Sequence, residues 1–566
     1  MTAITTMRTA KGVAKPDRAL RDGKLSLAGK LARLRDRLGQ PEWRRYGRLL
    51  FAGKAMGVAI VLLLITVISA VCFDRVYAQS SAPEIKAADV INPLNTAWTL
   101  IAAFLVFGMQ VGFTMLEAGF CRSRETVNVL VECVVDTCLC GILFYAFGFA
   151  FMFSHGNGFI GYHWFFLQGV PTTYESTGVA FLAVWIFQFA FADTCSTITS
   201  GAMIGRTAFV GDLLYSVAVS GFIYPIIGHW AWGPDGWLAT MGSEGHFFAS
   251  LGTGFHDFAG STVVHTIGGF IALAGSIVLG PRLGRTFKRD GGAPMLPHDL
   301  TIALSGGLLL WFGWYGFNPG STLSAMDFDG IGRVATNTTL AACAAGLTAL
   351  FWSYSSSKKW DAGFITNGFL AGLVAITCPC YWVTPTGSIF LGGIAGVIVV
   401  LGVELLEYLR IDDPIGAVPV HGFCGIWGTI SLGLFACGKY GASGPAGPDN
   451  SVAVKGLFYG GGSHVLTAQL IGSAVVTSAT FATAMAVMLA INKMGLLRVS
   501  EEGELYGLDL HEHGISAYPE YVITALGSPR GGRDFPSSHL KEASTVALDH
   551  SGGYTQPMIN GGRIVN

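Results

Sequence analysis

The sequence predicts an all-α polytopic membrane protein with eleven core transmembrane helices, ten of which form a 5+5 inverted repeat. Three observations carry this. The 566 residues are 51% hydrophobic and only 13% charged, whereas soluble domains are typically about 25% charged. Apolar runs of the length that crosses ~30 Å of hydrocarbon recur along most of the chain. Two segments with the same Asp-x7-His spacing lie five runs apart, so that they enter the membrane from opposite sides.

Residues 1–54 are polar and basic from Lys11 to Lys54, which reads as a cytoplasmic N-terminal segment. An apolar run at 55–73 leads into Val76-Tyr77-Ala78 before Gln79. The span 55–78 is therefore a signal peptide with a long basic n-region or an uncleaved anchor helix. Both readings keep the basic segment in the cytoplasm and start the core outside.

The core runs fall at roughly 95–117, 131–153, 178–203, 210–232, 258–280, 300–318, 334–354, 363–379, 387–407, 419–437 and 467–491. Charge fixes their direction. If the first run enters from outside, the inner loops hold Arg122, Arg124, Arg206, Arg282, Arg285, Lys288, Arg289, Lys358, Lys359 and Arg410, and the outer loops only Arg333, Lys439 and Lys455. This is the positive-inside bias, and it places the C-terminus in the cytoplasm. The final stretch, 521–566, is rich in Gly, Ser and Pro without apolar period and reads as a disordered tail.

Composition also excludes classes of function. A net charge of −1 gives no electrostatic footprint for nucleic acid. No GxxxxGK[ST] loop is present, since Gly47 to Ala55 has the wrong spacing and lacks Ser or Thr, so ATP has no visible home. The cysteines lie mostly in apolar runs and read as packing residues. Cys378-Pro-Cys380, at a helix end, is a candidate to pair or react, and its spacing matches no metal pattern. No metal, cofactor or catalytic residue is expected.

The repeat carries the chemistry. Asp257-Phe-Ala-Gly-Ser-Thr-Val-Val-His265 opens the fifth helix and Asp413-Pro-Ile-Gly-Ala-Val-Pro-Val-His421 the tenth. Each has Gly three, Val seven and His eight residues after the Asp. Eight residues at ~1.5 Å place each histidine about 12 Å below its rim, close to the midplane of a ~30 Å core. Two histidines meeting there from opposite faces can share a hydrogen bond, one donating and one accepting. The bland alternative is that each packs alone on its own helix, and symmetric depth argues against it. Asp257 and Asp413 read first as N-caps, with cation attraction as a second role for Asp257.

At these residues the chain resembles the ammonium transporter (Amt/MEP/Rh) family, as an Amt-type member. The segment Asp412-Asp-Pro-Ile-Gly-Ala-Val-Pro-Val-His421-Gly-Phe-Cys-Gly-Ile-Trp-Gly428 is similar to its tenth-helix motif. Met109-Gln-Val-Gly-Phe-Thr-Met-Leu-Glu117-Ala-Gly119 is similar to its first helix, and Trp314-Tyr-Gly-Phe317-Asn-Pro-Gly-Ser321 to its sixth. Arg498 to Gly514 resembles its regulatory C-terminal tail. The resemblance implies a transport domain over 95–495, a cytoplasmic regulatory tail over 496–520, a homotrimer with one pore per subunit, and an inner (plasma) membrane location.

Roles follow from the resemblance residue by residue. His265 and His421 match the twin pore histidines. Phe191 and Phe317 match the phenylalanines gating the outer mouth. Phe191, Trp232 and Ser321 match the outer ammonium-recruitment site, with Asp257 close by. Trp314, Tyr224 and Thr377 match wall positions. Ammonium, or methylammonium as its analogue, is the implied substrate, and a PII-type signalling protein at the cytoplasmic face the implied partner. Two departures stand at the cytoplasmic side. Arg124-Glu125 replaces the usual Lys-Asn, and Gly205 precedes Arg206 where glutamate is usual. They bear on docking of the tail and coupling between subunits rather than on the pore. Two other readings stay open, an ammonium sensor signalling through its cytoplasmic ends and a neutral-gas channel of the Rh type.

Overall fold

The computed structural model describes residues 86–174, 177–442 and 452–518, with Arg35, Gly39, Pro41 and the backbone of 559–560 and 563–564. Nearly all of the expected segments 1–54, 55–78 and 521–566 therefore lies outside the described residues. Residues 1–85 and 86–566 form two units, and the second holds everything below.

Among the described residues, ten helices are long and apolar enough to cross a membrane: α1 Ala87–Phe120, α2 Thr126–Phe153, α3 Phe181–Gly201, α4 Phe209–Trp232, α5 Ser261–Leu279, α6 Leu300–Thr322, α7 Phe328–Ser357, α9 Pro385–Leu409, α10 Val418–Phe435 and α11 His464–Lys493. The remaining expected span, at 363–379, is α8, Ala362–Thr377. At 16 residues and ~1.5 Å of rise each it covers about 24 Å, which is why length admits ten spans rather than eleven. It continues into buried, non-helical backbone at Cys378–Val383. Such backbone is tolerated at depth only inside protein, where its polar groups find partners. Here Asn337 donates to the carbonyls of Cys380 and Val383. The Cys378 thiol donates to the His256 carbonyl and the Cys380 thiol to that of Thr377, so no disulfide joins the two.

Local chemistry explains where the helices start. Asp299, Asp361 and Thr384 cap α6, α8 and α9 by accepting the N–H groups of Thr301 and Ile302, Phe364, and Gly387. Lys358 and Arg410 end α7 and α9 in the left-handed region. Large apolar side chains such as Phe104, Phe312, Phe351 and Phe390 point outward, each more than half exposed, as lipid-facing positions require.

The two halves pack through equivalent helices. α1 lies along α6, the first helix of each half, and α5 crosses α10, the last of each. The α1–α6 contact is lined by small residues. A Cβ on Gly119 would lie 2.4 Å from the Ala303 nitrogen, and one on Gly306 equally close to that of Leu116. Close backbone approach of this kind is how membrane helices gain packing energy, because lipid supplies no hydrophobic drive between them.

The C-terminal segment after α11 forms two short helices, α12 Glu501–Tyr506 and α13 Leu508–His513. The segment as a whole lies against the loops at 121–126, 205–208 and 280–283. Arg498 donates to the carbonyls of Leu279 and Pro281 and pairs with Glu504. The Asp509 carboxylate accepts the Asn128 N–H. Despite the two departures, the tail is docked on the helix-connecting loops of its own chain.

Candidate functional site

The site begins at two matching helix starts. The Asp257 carboxylate accepts four backbone N–H groups, from Gly260 and Ser261 at 3.0 Å and from Thr262 and Val263 at 2.9 Å. At the other end of the repeat, Asp413 accepts those of Gly416, Ala417 and Val418 at 2.8–3.1 Å. The glycine three residues on is needed for its backbone. Gly260 has φ +113° and Gly416 φ +81°, a region other residues rarely enter. Each cap is followed by a π-helical turn, Ser261–Thr266 and Val418–Phe423, and each turn contains one of the histidines. Single π turns inside α-helices occur often at functional positions, because they reorient side chains.

The two turns meet. A Cβ on Gly269, one turn beyond His265, would lie 2.3 Å from the backbone nitrogen of Gly422. The helices therefore touch backbone to backbone beside His421. His265 Nδ1 lies 3.1 Å from His421 Nδ1, so one imidazole donates and the other accepts. Both rings are buried, at 0% and 6% exposure. His265 Nε2 has no partner among the described residues.

Rings continue in a column from this pair. His265 stacks on Phe317 at 5.3 Å and on Trp314 at 5.2 Å between centroids. Phe317 stacks on Phe191 at 4.0 Å and 26°. Phe191 meets Trp232 edge-on at 6.1 Å. The Trp232 indole N–H donates to the Asp257 carbonyl at 2.7 Å, so the residue that caps α5 also fixes the tryptophan. Trp314 is held by donating to Thr377 Oγ1 at 2.9 Å. Ser321, half-buried, donates its hydroxyl proton to the Phe317 carbonyl, which leaves its oxygen lone pairs free to accept.

Of the residues singled out from sequence, His265, His421, Phe317, Phe191, Trp314 and Trp232 form this continuous stack. Asp257, Asp413 and Thr377 hold its parts, and Ser321 is tied to the Phe317 backbone. Tyr224 is fully buried, but its ring makes no aromatic contact with the column. It lies near Cys140 and Cys195. Two ring neighbours were not anticipated. Phe113 of α1 faces His421 at 6.5 Å, and Phe187 packs on Phe191 at 4.6 Å. Phe113 sits inside the first-helix motif, and Phe187 precedes Phe191 by one helical turn, the spacing at which side chains meet.

The two departures at residues 125 and 205 compensate each other. Glu125 is fully buried and pairs with Arg122. Both its carboxylate oxygens lie 2.8 Å from where a Cβ on Gly205 would stand. The carboxylate from residue 125 thus fills the space that a side chain at 205 would enter. Next to it, Asp412 accepts Arg282 through both oxygens, at 2.8 and 2.9 Å, and its carbonyl accepts Arg206 at 2.6 Å. Burial works against charge on Asp412, but Arg282 and Arg206 outweigh it and hold the carboxyl well below the usual range.

The model of the Ammonium Transporter Family matches residues 97–518. This chain belongs to the ammonium transporter family. Ammonium transporter Amt2 of Archaeoglobus fulgidus is 42% identical over 478 residues, covering 84% of this chain and 97% of its own. Ammonium transporter 1 member 1 of Arabidopsis thaliana is 41% identical over 420 residues, or 71% and 81% of the two chains. Among solved structures, a protein described as Sensor Amt Protein aligns with TM-score 0.65 at 35% identity, over 75% of this chain and 99% of its own. Mep2 of Candida albicans aligns with TM-score 0.66 at 27% identity, over 79% and 96%. The ammonium transporter fold therefore spans α1 to the docked tail. Membership makes the chain a multi-pass membrane transporter or channel rather than an enzyme.

Proposed function

We propose that this protein moves ammonium across the membrane by capturing the cation outside, separating its proton and conducting ammonia past the histidine pair. The observation that carries this reading is the contact between His265 Nδ1 and His421 Nδ1 directly behind the stacked Phe191 and Phe317. An ammonium ion at the outer end gains ~0.5–2 kcal/mol from the faces of Trp232 and Phe191, and the Ser321 hydroxyl accepts one N–H. The phenylalanine stack offers no hydrogen bonds, so passage of the charged form is costly. Ammonia passes more cheaply once a proton has left. Imidazoles exchange protons near neutral pH, so the hydrogen-bonded pair gives that proton a path of its own. Asp257 and Asp413 serve by holding the two π turns. The reading also includes an inner (plasma) membrane location, a cytoplasmic C-terminus, a homotrimer, and a PII-type protein meeting the docked tail.

The test is reconstitution of this protein alone in liposomes. An imposed ammonium or methylammonium gradient should drive uptake accompanied by current. Absence of flux sinks the transport reading, and flux without current favours a neutral-gas channel.

A sensing role has one observation in its favour, the similarity to the structure described as Sensor Amt Protein. It predicts that ammonium-dependent gene regulation is lost when residues 496–566 are removed while flux persists.

A further inference from the structure

Away from the ring column, α2 and α4 face each other with polar stripes at helical spacing. On α2 the stripe is Asn128, Glu132, Asp136; on α4 it is Asp212, Ser216, Ser220. Each advances by four residues, the rise of one turn, and α2 packs along α4. Asp212 lies close enough to feel the charge of both Glu132 and Asp136, and Ser216 sits beside Asp136. All three acids are at most 3% exposed. Among the described residues neither oxygen of Asp136 meets a hydrogen-bond partner, nor does Oδ2 of Asp212, Oγ of Ser216 or Oγ of Ser220.

Among the described residues no basic side chain balances the seam. α1, α2, α3 and α4 contain no Lys or Arg. Among the described residues no ion pair includes Glu132, Asp136 or Asp212. The other ionisable groups facing it are Glu117 of α1, Cys133 and Cys140 of α2, Asp193 of α3 and Tyr215 of α4, none of which supplies positive charge. Nor do the described acids, histidines and cysteines form a cluster able to hold a metal ion. Carboxylates crowded together without a cation cannot all be ionised, so the group must take up protons as a unit.

The seam is also wired to the surface. Asn128 Nδ2 donates to Glu132 Oε1 at 2.7 Å, and its amide oxygen lies 2.9 Å from His513 Nε2 in the docked tail. Its backbone N–H donates to Asp509. A hydrogen-bonded chain thus leads from α13 through Asn128 to the first acid. Asp136, ten residues into α2, lies about 15 Å deeper than that helix start.

We propose that the α2–α4 seam is a proton-binding site separate from the histidine pair, its occupancy communicated through Asn128 to the docked C-terminal segment. A proton on Glu132 changes what its carboxyl offers the Asn128 amide. That amide also holds His513, so the docking of α13 follows the protonation of the seam.

The test uses full-length protein in lipid. Infrared spectra of protein with ¹³C-labelled aspartate carboxyls should show a carboxylic-acid C=O band at neutral pH that shifts with the label. Part of it should be lost in Asp136→Asn and in Asp212→Asn, and none in His421→Ala. Hydrogen exchange of residues 507–514 should vary with pH in the wild type and lose that variation in Asp212→Asn. The isotope arm needs no variant, so a substitution that prevents folding does not remove the test. Absence of a label-sensitive acid band at neutral pH overturns the proposal. So does a band that sodium or potassium removes at fixed pH, which would make the seam a metal-cation site. Tail exchange indifferent to Asp212→Asn overturns the connection to α13.

Discussion

Gly269 of α5 and Gly422 of α10 touch backbone to backbone, and this contact sets the 3.1 Å separation of the two histidine nitrogens. A methyl group at Gly269 has no room. Gly269→Ala should force the helices apart at a cost of about 1–3 kcal/mol and lengthen the histidine contact. Methylammonium uptake in liposomes should fall by at least about tenfold, equivalent to ~1.4 kcal/mol of barrier. Gly332→Ala on α7, where a Cβ meets nothing within 4 Å, is the control and should leave uptake unchanged.

Removing either imidazole breaks the hydrogen-bonded pair. His265→Ala and His421→Ala should each reduce ammonium-driven current by about tenfold or more, while the folded protein persists, since neither ring caps a helix. Current recording on reconstituted variants checks this. Wild-type current in both would contradict a proton path through the pair.

The four N–H groups gathered by Asp257 make it a cap whose loss exposes several buried donors. Asp257→Ala should destabilise the protein by about 2 kcal/mol or more, read as a lowered Tm in detergent. Asp257→Asn keeps one acceptor oxygen and should cost less. A drop in uptake by Asp257→Asn without a drop in Tm would assign the charge itself a role in transport.

Acid should loosen the loops around Asp412 late. The Asp412 carboxyl is held below its ordinary range by Arg282 and Arg206. Its stabilising contribution is therefore complete above the unfolded value near pH ~3.9 and is lost only as pH falls further, through the lower folded value. Hydrogen exchange at 280–285 should stay slow to below pH ~4 in the wild type. Asp412→Asn leaves Arg282 buried without its countercharge, a change that costs about 3–5 kcal/mol, and should give fast exchange at neutral pH.

Much of this site was legible in the chain. The Asp-Gly-His spacing follows from local rules, because a carboxylate cap, a residue with positive φ and a ring two turns on must occur in that order. Phe113 lies inside the first-helix motif and Phe187 one turn before Phe191, but nothing local says which face of a helix meets a ring from another. Tyr224, expected at the pore wall, is fully buried and lies near Cys140, Cys195 and Asp257, neighbours that no local rule indicates. The acids at 132, 136, 193 and 212 were visible as charges inside apolar runs, a signal worth following wherever it occurs. That Glu132 and Asp136 face Asp212 is a property of how α2 lies on α4.

The sequence by itself determined the apolar spans, the two caps and the spacing from each cap to its histidine, since each depends on residues close together in the chain. Tertiary structure alone decided that Gly269 meets Gly422, that the rings from α3, α4, α5, α6 and α10 form one column, and that Glu125 fills the space beside Gly205. Those outcomes depend on the distance and rotation between helices, which small residues far apart in the chain set jointly by how closely they allow backbones to approach.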